Sequence, residues 1–154
     1  MASYSSAQAP WKDNELAFKS NDPKVNARRS EHFRILWGQG VGKDGQNVNA
    51  DFERVTEQLA QGNLQMLEQI WQRYHNPEAQ GGMGFHIPGE PTDADKRDGS
   101  QYRTNLMMNN TGIWEGGAWG SVDDRQLPLF ALPPGYLAYD PPSGATPHEY
   151  GHTV

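Results

Sequence analysis

Between Phe52 and Tyr74 apolar residues return every three or four positions: Phe52, Val55, Leu59, Leu64, Leu67, Ile70, Trp71 and Tyr74. That period belongs to a helix, and a stripe this long marks one amphipathic helix with a face to bury. Little else in the chain can form a long element, because 17 glycines and 11 prolines are spread through its 154 residues. A loop-rich domain built on one dominant helix follows. The helix is expected over residues 50–75, capped by Asn49 or Asp51, with a bend or split at Gly62-Asn63. His75 ends it, where a positive charge suits the helix dipole. The stripe is read as core, facing a sheet.

Strands supply that sheet. In Glu31–Gly38 the side chains of Phe33, Ile35 and Trp37 fall on one face and those of His32, Arg34 and Leu36 on the other. His32, at the strand's start, is read as structural. Residues 101–109 alternate again, with Tyr102, Thr104, Leu106 and Met108 opposite Arg103, Asn105 and Met107. In Ile113–Ser121 small residues alternate with tryptophan, which suits a strand closely approached by another backbone. Residues 123–147 are proline-rich, with one short strand expected at Gly135–Tyr139. Residues 1–30 are polar and read as an extended arm lying on the domain formed by residues 31–154, with Lys24, Arg28 and Arg29 as a solvated basic cluster. The fold class is α+β: a twisted mixed β-sheet, one long backing helix and a C-terminal helix.

Several familiar sites are excluded. Gly38–Gln46 is glycine-rich, but Asp44 follows Lys43 where a phosphate loop needs Ser or Thr. Asp93, Asp95 and Asp98 precede Gly99 with a spacing that does not match a calcium loop. Asn109-Asn110-Thr111 is a glycosylation acceptor in a eukaryotic secretory setting only. A net charge of -6 argues against nucleic-acid and anionic-membrane partners. The chain has no cysteine, hence no disulfide frame and no thiolate chemistry. No apolar run approaches the roughly 18 residues a membrane span needs. Met1-Ala2-Ser3, followed by polar residues, reads as a start placed on a mature sequence without its signal peptide, and export to the periplasm or beyond is expected.

One motif carries chemistry: His148-Glu149-Tyr150-Gly151-His152, the pattern H-E-x-x-H. On a helix, positions four apart share a face, so both imidazoles can grip one metal ion. One residue more or fewer would swing the second ligand by about 100°. Glu149 then lies beside the ion's open position, where it can take a proton from water. Thr146 as cap and Pro147 in the first turn favour a helix here.

HEYGH resembles the zinc-binding helix of the zincin metallopeptidases. The resemblance implies zinc as cofactor, His148 and His152 as ligands, and Glu149 as general base. Zincins take a third ligand from a later helix (a Glu) or from six residues past the second His. This chain stops two residues after His152, so the expectation is the N-terminal part of a longer enzyme, or an upstream ligand as in peptide deformylases. With no cysteine, the upstream candidates are His32, His75, His86 and carboxylates. The element order is that of the upper half of a zincin. The stretch SEHFRILWG, the long helix and the HEYGH ending also resemble a family of secreted zincin-like proteins of bacteria and fungi, including virulence (avirulence-type) proteins. Many zincins bind a peptide substrate along an edge strand shortly before the metal helix, so Gly116–Ser121, centred on Gly117, Ala118 and Trp119, is the expected substrate edge. The same edge offers a route to self-association. The alternative reading is a non-catalytic carbohydrate- or protein-binding module, for which five tryptophans and six tyrosines would supply stacking surfaces.

Overall fold

The long stripe forms helix α1, Glu57–His75, unbroken through Gly62-Asn63. Thr56 caps it, its hydroxyl accepting from the Leu59 N–H at 3.2 Å. Asn49, Asp51, Phe52 and Val55 lie outside the residues that the computed structural model describes, which are 11–13, 25–38, 56–94, 96–107, 118–122, 127–132 and 144–154. The helix is not split at Gly62-Asn63, where Asn63 is fully buried. Its amide donates to the Leu59 carbonyl one turn back, at 2.9 Å.

The sheet has five strands: β1 (Val25–Arg29), β2 (Phe33–Gly38), β3 (Thr104–Met107), β4 (Trp119–Val122) and β5 (Pro128–Ala131), in the order β1-β2-β3-β5-β4. β2, β3 and β5 run parallel, while the outer strands β1 and β4 are antiparallel to their neighbours. The sheet is therefore mixed, as expected. A second helix, α2 (Ala145–Gly151), closes the described chain and packs on α1, β4 and β5.

Two strands depart from the sequence reading. Val25–Arg29, assigned to the arm, pairs with β2 through five registered positions. Its two arginines are not simply solvated: Arg28 meets Glu57 at 2.7 Å and lies over Trp37, and Arg29 meets Asp13. Strand β5 was hidden by its proline. Pro128 is the first strand residue, a position where the missing N–H is tolerated. The apolar run Leu127–Leu132 is buried throughout, the pattern of a central parallel strand and not of an alternating one. Gly135–Tyr139 lies outside the described residues.

The alternation in β2 sorts the core. Phe33, Ile35 and Trp37 meet Leu64, Leu67 and Trp71 of α1, together with Leu106, Phe130 and Tyr150. Leu36 faces the opposite side with Met107, Leu129 and Ala131. Ahead of the sheet, Trp11–Asp13 lies along the domain: Lys12 bridges Tyr102, and the Arg103 guanidinium donates to the Trp11 carbonyl at 2.7 Å. Burial opposes ionisation of Asp13, but the Arg29 hydrogen bond and the charges of Arg34 and Arg103 outweigh it, so its pKa lies below the ordinary 3.8.

Leu67 is 0% exposed at the centre of the helix–sheet contact. Leu67→Ala is expected to cost about 2–5 kcal/mol in urea unfolding, the range for a cavity in a close-packed core. A loss under about 0.5 kcal/mol would show that α1 does not pack on the sheet as described.

Candidate metal centre

Helix α2 has only seven residues and could not hold itself. Three contacts fix it. Thr146 is fully buried inside the first turn, and its hydroxyl donates to Asn63 Oδ1 at 3.1 Å. It therefore ties α2 to α1; Gly144 occupies the cap position that Thr146 was expected to take. Tyr150 is 0% exposed and sits among Phe33, Phe130 and Tyr74. Its hydroxyl lies 2.6 Å from His75 Nε2. At the far end, the buried Thr153 returns both its N–H and its hydroxyl to the Tyr150 carbonyl, at 2.9 and 2.7 Å.

His75 was expected to be a cation at the end of α1; it is a buried neutral ring. Nδ1 lies 3.1 Å from the Phe85 carbonyl, which can only accept, so Nδ1 carries the proton. Nε2 is then the acceptor for Tyr150. Burial holds the ring's pKa below the ordinary 6.5.

Tyr150 lies about 200° around the helix from both His148 and His152, so burying it turns the two histidines outward together. Their Nε2 atoms are 3.3 Å apart, with the rings crossed at 84°. Two nitrogens each about 2.0–2.1 Å from one tetrahedral zinc ion stand about 3.3–3.4 Å apart, so the pair has the bite of a zinc site. Glu149 is buried to 8% exposure, with Oε1 at 3.9 Å from His148 Nε2. Ligand atoms of His148, Glu149 and His152 all lie within 4.8 Å of one another, the one such group among the described residues. The two imidazoles and the neighbouring carboxylate form a group that could hold a metal ion.

Strand β4 touches this helix directly. A Cβ at Gly120 would stand 1.9 Å from the Glu149 carbonyl oxygen and 3.2 Å from His152 Cβ. Only glycine permits that approach. Among the described residues β4 pairs only with β5 and ends the sheet order, beside the histidine pair. Of the expected edge residues, Ala118 packs against the core, Trp119 begins β4, and Gly117 lies outside the described residues. A groove of about 650 Å³ opens between Ser121, the end of α2 (His152, Thr153, Val154) and the loop carrying His86, Ile87 and Glu90.

The other histidines are sorted by their surroundings. His32 is buried, stacked on Trp71 with ring centroids 3.6 Å apart, and its Nδ1 lies 2.6 Å from Glu68. It is structural, as expected. Burial disfavours the Glu68 carboxylate, but bonds from His32 and Ser30 outweigh that and hold its pKa below the ordinary 4.5. Asp93 pairs with Lys96 at 3.5 Å and Asp98 accepts from Ser100, while Asp95 lies outside the described residues. The contributions of Asn63 and Thr153 were missed from sequence, with a polar residue within the α1 stripe the only signal for Asn63; the close backbone approach at Gly120 is the one expected of the small residues in Ile113–Ser121.

The chain belongs to a family of unknown function, DUF6055. The family's model matches residues 2–154, and so takes in the sheet, α1 and the histidine pair. No curated protein and no solved structure matches the chain.

Two outcomes follow from this geometry. Gly120→Ala is expected to destabilise the fold by at least about 1–3 kcal/mol through overpacking, and to weaken metal binding by displacing His152; an unchanged melting temperature would mean that β4 and α2 are not in contact. Acidification acts through His75 and Glu68. The unfolded chain takes up a proton on His75 near pH 6.5 that the folded chain resists, so this stability is complete above pH 6.5 and is lost as pH falls below it. Glu68's contribution is complete above pH 4.5 and is lost as pH falls through its depressed value. In metal-free buffer the melting temperature should fall between pH 7.5 and about 5, and His75→Gln should flatten that stretch; an equal slope in the variant would assign it to another group.

Proposed function

We propose that this chain carries the metal helix and the substrate edge of a zinc-dependent peptidase. The observation that supports the reading most is the 3.3 Å separation of His148 and His152 Nε2, with Glu149 Oε1 3.9 Å from the first. A zinc ion held by His148 and His152 would supply an acidified water, with its pKa lowered toward about 7, and a Lewis acid for a peptide carbonyl. Glu149 accepts the water's proton and returns it to the leaving amine, so one C–N bond breaks as one C–O bond forms. Its burial beside two imidazoles keeps the carboxylate within reach of the reacting water. β4 supports a peptide substrate by main-chain pairing along its outer edge, with Ala118 and Trp119 at its start. That edge is also where two copies of the chain would self-associate.

The reading extends to the likeness with secreted zincin-like proteins, and export is its corollary. The absence of cysteine fits an exported bacterial protein and a cytosolic one alike, and no helix among the described residues is long and apolar enough to cross a membrane. For the binding-module alternative, Trp37 and Trp71 are buried and the half-buried Trp11 packs on the core, so these three tryptophans do not supply its stacking surface.

Metal analysis of the full-length protein after zinc loading and desalting should find about one zinc per molecule, with little retained by His148→Ala. Glu149→Gln should keep the metal and lower peptide hydrolysis by about 10²–10⁴-fold, the usual contribution of a general base. Zinc content no higher than that of His148→Ala would end the metal reading. Full hydrolysis by Glu149→Gln would end the mechanism while leaving the site.

A further inference from the structure

A catalytic zinc site usually has three protein ligands and one open position, and the histidine pair supplies two. The chain has five histidines. His32 and His75 are buried and already bonded, the one to Glu68 and the other to Phe85 and Tyr150. His86 remains, and its place in the fold is specific. It lines the groove of about 650 Å³ that His152 also lines, and a second of about 460 Å³ shared with Gly151 and Val154. Both grooves set it against the C-terminal turn of α2.

The backbone there is anchored. The Phe85 N–H donates to the Tyr74 carbonyl at 2.8 Å, and the Phe85 carbonyl accepts from His75 Nδ1 at 3.1 Å. The ring of His86 itself is not packed, with 90% of the side chain exposed. Its Nδ1 lies 2.9 Å from Glu90 Oε2. An ionised carboxylate only accepts, so Nδ1 donates and a neutral ring offers its lone pair at Nε2. A carboxylate behind Nδ1, with Nε2 facing outward, is the arrangement that orients metal-bound imidazoles.

We propose that His86 is the third protein ligand of the metal held by His148 and His152, with Glu90 fixing its tautomer. The inference rests on the metal reading given above. Among the described residues only His148, Glu149 and His152 bring ligand atoms within 4.8 Å of one another. Metal binding therefore requires the exposed His86 ring to turn across the groove on its anchored backbone, with the Glu90 side chain turning with it to keep the Nδ1 bond.

The test is zinc affinity, measured by competition with a chromophoric chelator, for the unaltered chain, His86→Ala, Glu90→Gln and His152→Ala. The visible absorption of the cobalt-loaded proteins is recorded beside it. His86→Ala is expected to weaken zinc binding by more than about 100-fold, and Glu90→Gln by about 10–100-fold, the effect of removing a histidine's carboxylate partner. The cobalt spectrum of His86→Ala should change in shape and intensity, as a nitrogen ligand is replaced by water. Both positions lie in a surface loop, so far-ultraviolet circular dichroism should be unchanged. Equal affinity and an identical cobalt spectrum in His86→Ala, with binding lost in His152→Ala, would overturn the third ligand and leave the histidine pair standing. Absence of metal binding by the unaltered chain would overturn both.

Discussion

The hydrogen bond between the Tyr150 hydroxyl and His75 Nε2, at 2.6 Å, is the contact on which the rest depends. It joins the last residue of α1 to the last turn of α2, and both partners are buried. The neutral imidazole is satisfied at both nitrogens, by the Phe85 carbonyl on one side and Tyr150 on the other. An unmade bond here would leave a buried polar atom without a partner, at a cost of about 1–3 kcal/mol. A second tie, from Thr146 to Asn63, fixes the start of α2 to the same long helix. With both ends held, a helix too short to persist alone is set at one rotation about its axis. That rotation decides what the histidines face.

The sheet adds the second constraint. β5 lies between β3 and β4 and leaves β4 at the margin, antiparallel to it. Gly120 lets β4 rest on the Glu149–His152 turn of α2 with no side chain between them. The strand that ends the sheet among the described residues, a pair of outward imidazoles and a buried carboxylate are thereby gathered at one place. Each is ordinary by itself; their conjunction gives the arrangement a chemistry. The polar side of the groove comes from the loop after α1, whose residue Phe85 hangs on the same His75 that holds Tyr150. One buried imidazole thus positions both walls of the groove.

Much of this was legible without coordinates. Three- and four-residue spacing announced α1, and two-residue alternation announced β2 and β3 with their faces assigned correctly. The HEYGH spacing placed two imidazoles on one side of a helix, and they are there. Three features were not legible for identifiable reasons. Val25–Arg29 is polar, and only its pairing with β2 makes it a strand. Pro128 disguised a central strand whose missing N–H costs nothing at its first position. Gly62-Asn63 carries a poor helix propensity that a buried hydrogen bond from Thr146 overrides.

The sequence by itself determined the periodicities and the chemical inventory: one amphipathic helix, apolar strands, five histidines, and two of those four residues apart beside a glutamate. Those follow from local geometry, because helix and strand repeats are properties of the backbone alone. Tertiary structure decided which histidines are spent on stability and which are turned outward. Burial beside Trp71 and Glu68 commits His32, and burial between Phe85 and Tyr150 commits His75 as a neutral ring. The same letter in the chain thus becomes a core hydrogen-bonder or an open ligand according to what is packed around it, and packing is set by contacts between residues far apart in sequence.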